Sequence, residues 1–72
     1  MGSFSERLVE LRTEKGLSQV RLAKEIGFSR SVLGYWEKGT KIPNANAIIA
    51  LAKYFDVTSD YLLGLSDEAE RM

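Results

Sequence analysis

Basic side chains are concentrated in the middle of this 72-residue sequence. Seven bases and three acids lie between Arg12 and Lys41, which gives that segment a net charge of +4. The segment from Tyr54 to the end has a net charge of −4, and the remaining four charges cancel, so the whole chain is neutral. Because clustered lysines and arginines attract phosphate groups, this distribution predicts a positive surface and keeps a nucleic-acid partner open despite the neutral total.

Catalytic and metal-binding chemistry have little support in the residue types. The sequence contains no cysteine and no histidine, which removes disulfides, thiolate chemistry, the commonest metal ligand and the usual proton shuttle. The acidic residues are scattered, and neither a phosphate-binding glycine-rich loop nor a nucleophile elbow is present. We therefore expect no enzyme activity, no cofactor, no metal site and no small-molecule ligand.

The length and composition are typical of one small globular domain. Hydrophobic residues make up 44% of the chain and charged residues 28%. The longest apolar run, Ala47 to Ala52, is too short to span a membrane, and the first residues do not resemble a secretory leader. The sequence thus predicts a soluble cytoplasmic protein with no membrane partner.

Capping residues and apolar spacing predict five short helices and no strand. Ser3 and Glu6 form a capping box before a first helix that runs to Gly16. Glycines are expected to end the second, third and fifth helices, and the fifth is predicted over Tyr61 to Leu63. The five predicted N-terminal caps are Ser3, Ser18, Ser29, Asn44 and Thr58.

The junction between the second and third helices is predicted to be tight. Phe28 precedes the Ser29 cap and Leu33 follows five residues later, the spacing of a hydrophobic staple, and the same spacing recurs at the second and fifth helices. Gly27 supplies the backbone freedom that a sharp turn requires. Two short helices joined in this way predict a helix-turn-helix.

A family resemblance rests on residues 17–39. They read Leu17-Ser18-Gln19-x-x-Leu22-Ala23-x-x-Ile26-Gly27-x-Ser29-x-x-x-Leu33-x-x-Trp36-Glu37-x-Gly39. With Pro43 and the later run from Val57 to Gly64, this pattern resembles the phage-repressor and Cro-like helix-turn-helix family of DNA-binding domains, of the xenobiotic-response-element type. The resemblance covers residues 4–65. It implies an all-α, compact five-helix bundle of the lambda-repressor-like type, with the second helix across the DNA backbone and the third in the major groove.

The resemblance also implies which side chains read the bases. They are Arg30, Ser31, Gly34 and Tyr35. Helical geometry selects the same face, because Leu33 and Trp36 point to the core, where we expect Trp36 to pack rather than to stack on a base.

Each of these positions has a chemical interpretation. The guanidinium of Arg30 matches guanine O6 and N7, although a solvated or phosphate-binding arginine is the alternative. Ser31 reaches either a base or a phosphate, and Tyr35 either a thymine methyl, a phosphate or the edge of the core. Gly34 either leaves a gap on the reading face or has no role in binding.

Phosphate contacts are expected around this face. The resemblance and the positive charges assign them to Gln19, Lys38, Thr40 and Lys41, each of which is otherwise an ordinary surface residue. The resemblance further implies a structural, partly buried ion pair between Arg12 and Glu37 that holds the third helix against the first; the alternative is two unrelated surface charges.

Together these features predict a sequence-specific, double-stranded DNA-binding transcriptional regulator, associated with the nucleoid through its DNA. The simplest form is a repressor that binds a symmetric operator as a homodimer. The alternative is a protein-interaction module, anti-repressor or antitoxin-like, built on the same scaffold. That alternative requires an apolar or acidic outward face on the third helix.

The end of the chain is less specific. Residues 1–65 are predicted to form the DNA-binding domain, and residues 66–72 a short acidic tail that continues as a helix, frays or marks the cut end of a longer regulator. The candidate dimer contacts, most of which could equally be core residues, are Tyr54, Val57, Tyr61 and Leu65.

Overall fold

The chain forms five α-helices in a computed structural model that describes residues 3–68. They are α1 (Phe4–Glu14), α2 (Gln19–Ile26), α3 (Arg30–Lys38), α4 (Ala45–Phe55) and α5 (Ser59–Leu62). Within that range no strand occurs, which confirms the predicted all-α class. None of the described helices is both long and apolar enough to cross a membrane.

All five predicted N-terminal caps are present. In each helix the side-chain oxygen of the cap accepts a hydrogen bond from the backbone N–H of the third helical residue. At α1 the capping box is complete, because Glu6 Oε1 also accepts from the backbone N–H of Ser3 at 3.0 Å. That bond, followed by the contribution of the Ser3 hydroxyl, lowers the pKa of Glu6 below its ordinary value.

The helix ends differ from prediction in three places. The first helix ends at Glu14 with Lys15 as its C-terminal cap, rather than running to Gly16. The fifth helix is Ser59–Leu62 rather than Tyr61 to Leu63, because a helix begins directly after its cap and Thr58 is that cap. The end of α4 was not predicted: Asp56 caps it in the left-handed conformation, with φ of 55°, which aspartate tolerates better than most residues.

The core takes one fully buried leucine from each helix. These are Leu8, Leu22, Leu33, Leu51 and Leu62. Trp36 is also buried, which confirms its assignment to the core, and its ring meets that of Phe28 edge to face with centroids 5.2 Å apart. The helices are short, so this shared core rather than intrinsic helicity must stabilise them.

Two expectations about the second half of the chain change. Val57 is 5% exposed and belongs to the core, so its prediction as a dimer contact is wrong. The first residues of the predicted acidic tail, Ser66 and Asp67, accept hydrogen bonds from the guanidinium of Arg7 at 3.1 and 3.0 Å. The remainder of that predicted tail, residues 69–72, lies outside the described residues.

Candidate nucleic-acid interface

The turn between α2 and α3 fixes the direction in which α3 leaves the core. Gly27 ends α2 in the left-handed conformation with φ of 79°, and Ser29 caps α3 two residues later. The inward side of α3 is anchored by Leu33 and Trp36, which are buried. The opposite side of α3 therefore faces away from the bundle.

That outward side forms one shallow surface depression of about 220 Å³. Its lining residues are Gln19, Arg30, Ser31, Gly34, Tyr35 and Lys38. All four predicted base-reading residues are among them, together with two of the four predicted phosphate contacts. Arg30, Ser31 and Tyr35 are exposed and Gly34 is partly so. The structure thus brings these residues together on one face, although their contact with bases remains a prediction.

The other two predicted phosphate contacts lie beside Tyr35, just after α3. Thr40 Oγ1 donates a hydrogen bond to the Tyr35 carbonyl oxygen at 3.2 Å, and Lys41 Nζ lies 4.7 Å from the centroid of the Tyr35 ring. Both residues are exposed. The ammonium group and the ring can attract each other, and this contact holds Lys41 close to the depression.

Two of the three acids of the middle segment are paired with arginines that do not line the depression. Glu25 pairs with Arg21 at 3.1 Å along α2, and Glu37 pairs with Arg12. Among residues 3–68, neither Arg30 nor Lys38 has a carboxylate within ion-pair distance. The cations that line the depression are consequently open to an external anion.

Arg12 and Glu37 form a bidentate ion pair between α1 and α3. Arg12 Nε donates to Glu37 Oε2 at 2.6 Å and Nη2 donates to Oε1 at 3.1 Å. The side chains are 16% and 7% exposed. Arg12 Nη1 also donates to the carbonyl oxygen of Leu17 at 2.8 Å, so one guanidinium joins α1, the α1–α2 turn and α3.

Gln19 has a partner that the sequence did not indicate. Its Nε2 donates a hydrogen bond to Glu37 Oε1 at 2.8 Å. The residue was predicted to bind phosphate from the start of α2, and it does line the depression. Its amide is thus attached to the same carboxylate that Arg12 neutralises.

Arg7 is the charged residue whose importance sequence reasoning missed. It is 5% exposed, its guanidinium lies 3.9 Å from the centroid of the Tyr61 ring, and it binds the segment that follows α5. A sign was present, because position 7 shares the i, i+3, i+4 face of α1 with Phe4, Leu8 and Leu11. Arg7 lies in the α1–α5 contact and lines no part of the depression.

Within residues 3–68 there is no group of three or more Asp, Glu, His or Cys side chains placed to hold a metal ion. In the depression, basic, hydroxyl and amide groups lie together on the face of α3 that the sequence predicted.

Comparisons with known proteins agree with this architecture. A family model described as Helix-turn-helix matches residues 8–62. The transcriptional activator BcrR of Enterococcus faecalis is 42% identical over 60 residues, which are 83% of this chain and 29% of that protein. The curated P22 repressor protein C2, of Salmonella phage P22, is also much longer, since this chain spans 28% of it.

Two solved structures are similar over most of the chain. A crystal structure of the P22 c2 repressor, in complex with a synthetic operator, has a TM-score of 0.84 and 29% identity and covers 92% of this chain and 100% of that one. The restriction-modification controller protein C.AhdI of Aeromonas hydrophila has a TM-score of 0.75 and 42% identity, and covers 82% of this chain and 89% of that one. The family model matches most of the chain, and α2 and α3 have the geometry of a helix-turn-helix. This chain therefore belongs to the helix-turn-helix family of transcriptional regulators, which includes the phage repressors.

Proposed function

We propose that this protein binds duplex DNA sequence-specifically as a transcriptional regulator, with the outward face of α3 in the major groove. The observation that carries the proposal is the convergence of Arg30, Ser31, Gly34 and Tyr35 in one open depression. The major groove is wide enough to receive an α-helix. The similar P22 c2 repressor was solved in complex with a synthetic operator, which supports operator DNA as the partner here.

Base recognition is assigned first to Arg30. Its guanidinium is exposed at the first residue of α3 and has no carboxylate partner in the described chain, so its fork is available to guanine O6 and N7. Ser31 follows it on the same face, and Tyr35 lies one turn further along. These three side chains span two turns of α3, which suits readout of a few neighbouring base pairs.

Phosphate binding is assigned to the rim of the depression. Lys38 lines it directly, while Thr40 and Lys41 lie beside Tyr35 at its edge. Phosphate contacts set the position of a protein on DNA and carry no sequence information themselves. In this assignment the residues of the rim fix the position of α3 on the DNA, while Arg30 discriminates between base pairs.

Regulation is proposed to be repression by a homodimer on a symmetric operator. Few contacts per protomer give weak binding, and two half-sites read by two protomers overcome that weakness. A small protein that covers an operator blocks access to the promoter, which is the simplest regulatory outcome. The similar proteins include both an activator and a repressor, so a promoter fusion that measures transcription with and without the protein decides the sign.

A duplex titration at two salt concentrations tests the proposal. If Lys38 and Lys41 each neutralise one phosphate, the log–log slope is about −1.8 per protomer, which is an about 12-fold loss of affinity between about 50 and 200 mM salt. Lys38→Ala should reduce that slope by about 0.9, whereas Lys53→Ala, a matched charge on α4, should not change it.

A failure to bind any duplex at low salt would overturn DNA binding and favour the protein-interaction module. The charge of the outward face of α3 disfavours that module, because the face presents Arg30 and Lys38 and no acidic side chain, although the exposed Tyr35 ring is a surface that a protein partner could use.

A further inference from the structure

The amide of Gln19 is held from inside the protein. Gln19 is the first residue of α2 and lines the depression, yet its Nε2 donates to Glu37 Oε1 at 2.8 Å. Glu37 lies near the end of α3 and its side chain is 7% exposed. A buried carboxylate on the reading helix therefore fixes the orientation of a side chain on the neighbouring helix.

The charge of Glu37 is already neutralised by another residue. Arg12 donates two hydrogen bonds to the same carboxylate, at 2.6 and 3.1 Å. An unpaired carboxylate at this place would repel a DNA phosphate, but the guanidinium removes that repulsion. The neutralised carboxylate can still accept a hydrogen bond through Oε1, and Gln19 Nε2 donates one to it.

Among residues 3–68, Gln19 Nε2 makes one hydrogen bond, the one to Glu37 Oε1. An amide NH₂ group is planar and carries two protons, so bonding one of them to the protein fixes the direction of the other. Since Gln19 lines the depression with Arg30 and Lys38, that second proton is available to an anion on the outer side.

We infer that Glu37 is a positioning residue for DNA binding, which orients the Gln19 amide so that Nε2 donates to a backbone phosphate. The inference rests on the proposed function, because it requires duplex DNA at the depression. It assigns Glu37 a role beyond its ion pair: through Arg12 it braces α3 against α1, and through Gln19 it prepares one phosphate contact in advance. A side chain that is ordered before binding loses less conformational entropy on binding.

A neutral substitution of Glu37 separates positioning from simple electrostatics, because the two predict opposite changes in DNA affinity. In Glu37→Gln the single carbonyl oxygen of residue 37 cannot accept from both Arg12 Nε and Gln19 Nε2, which bond different oxygens of the carboxylate. When it keeps the 2.6 Å bond from Arg12 Nε, its NH₂ group faces Gln19 Nε2, donor against donor, so the Gln19 amide must rotate and the prepared contact is lost. Removal of a negative charge near the site would by itself strengthen DNA binding, so a weaker complex identifies positioning rather than simple electrostatics.

A double-mutant cycle between Gln19 and Glu37 measures the coupling. Gln19→Ala and Glu37→Gln should each weaken duplex binding about tenfold, the effect of one hydrogen bond to a charged group. The double variant should be no weaker than Glu37→Gln alone, because that variant has already lost the Gln19 contact. Because phosphate contacts carry no sequence information, the ratio of affinities for two different duplexes should stay unchanged in all three variants.

Ser5→Ala is the matched control for bracing alone. Ser5 Oγ donates to the Trp36 carbonyl oxygen at 2.9 Å, so it also joins α1 to α3 but does not touch Gln19. Its effect on affinity should add to that of Gln19→Ala without coupling. Thermal unfolding of every variant gives its folded fraction at the temperature of the binding experiment. Each affinity is then calculated for the concentration of folded protein.

Additive losses in the Gln19–Glu37 cycle, or a changed affinity ratio in Glu37→Gln, would overturn the inference and leave Glu37 with bracing alone. If the Glu37 variant does not fold, the wild-type protein decides by NMR: the Gln19 side-chain NH₂ signals should shift on saturation with duplex, and unshifted signals would overturn the inference. Wild-type protein that binds no duplex refutes the proposed function instead, so the two failures are distinct.

Discussion

Arg30 is the residue to which we assign most of the base discrimination. It is exposed at the start of α3, whereas the other two arginines of the middle segment are paired with Glu37 and Glu25. The guanidinium of Arg12 is already bidentate with a carboxylate and has no fork left for a guanine. Arg21 makes a single bond to Glu25 along α2 and does not line the depression.

Arg30→Ala should relax sequence preference at one position of the bound site. The expected loss is about 1–3 kcal/mol of discrimination at that base pair, with little change at the others. Selection of bound duplexes from a random pool, carried out with both proteins, measures the preference position by position. Lys38→Ala is the control, because loss of a phosphate contact should weaken all duplexes by a similar factor. An unchanged preference at every position would remove Arg30 from the reading role.

At the scale of the elements, α3 has an outward face that the rest of the fold leaves open. Gly34 lies in the middle of that face, with space around it: an added Cβ would meet nothing within 4 Å outside its own stretch of helix. Its φ is not positive, so the backbone does not require glycine there. Gly27, by contrast, has φ of 79°, which side chains with a Cβ rarely adopt.

Gly34→Ala should raise stability and lower DNA affinity at the same time. Alanine favours a helix interior over glycine by roughly 0.5–1 kcal/mol, and the protein offers no clash to offset this gain. The added methyl group would occupy the gap through which α3 approaches the base edges. Thermal unfolding and duplex titration of the same sample measure both effects.

Gly27→Ala provides the comparison for that experiment. It should lower stability by about 1–2 kcal/mol, the cost of a left-handed conformation in a residue with a Cβ. If Gly34→Ala binds DNA as well as the wild-type protein, the gap has no part in the approach of the helix.

At the scale of the whole molecule, the charged residues fall into two regions with different functions. The open cations surround the depression, while at the other end Arg7 binds Asp67 and the backbone of Ser66. Of the predicted dimer contacts, Leu65 is 73% exposed, whereas the rings of Tyr54 and Tyr61 already contact Lys15 and Arg7. Leu65 is therefore the residue at which the proposed dimer is best tested.

The proposed dimer should require a fixed spacing between two half-sites. In two-fold symmetric helix-turn-helix complexes the half-sites lie about 34–36 Å apart, one turn of DNA. Insertion of about five base pairs would place them on opposite faces of the duplex and should abolish cooperative binding, as measured by footprinting. Leu65→Ser should reduce the affinity for the symmetric site more than for a single half-site. Equal binding to both spacings would contradict the dimer.

The sequence by itself determined the local structure of this protein. Caps, left-handed glycines and the inward faces of the helices depend on residues at most a few positions apart, so Ser29, Gly27 and Trp36 could be assigned without coordinates. The outward face of α3 followed from the same periodicity, together with the resemblance to the phage-repressor family.

Only the tertiary structure decided which charges are available. Glu37 and Gln19 are 18 residues apart, and Arg7 and Asp67 are 60 apart, so neither contact leaves a local pattern in the sequence. The burial of Val57 and of Arg7 likewise depends on how helices distant in sequence pack together. The physical reason is that a charged side chain can bind an external partner only if no neighbour in space already pairs with it. Those neighbours are set by the packing of the whole bundle.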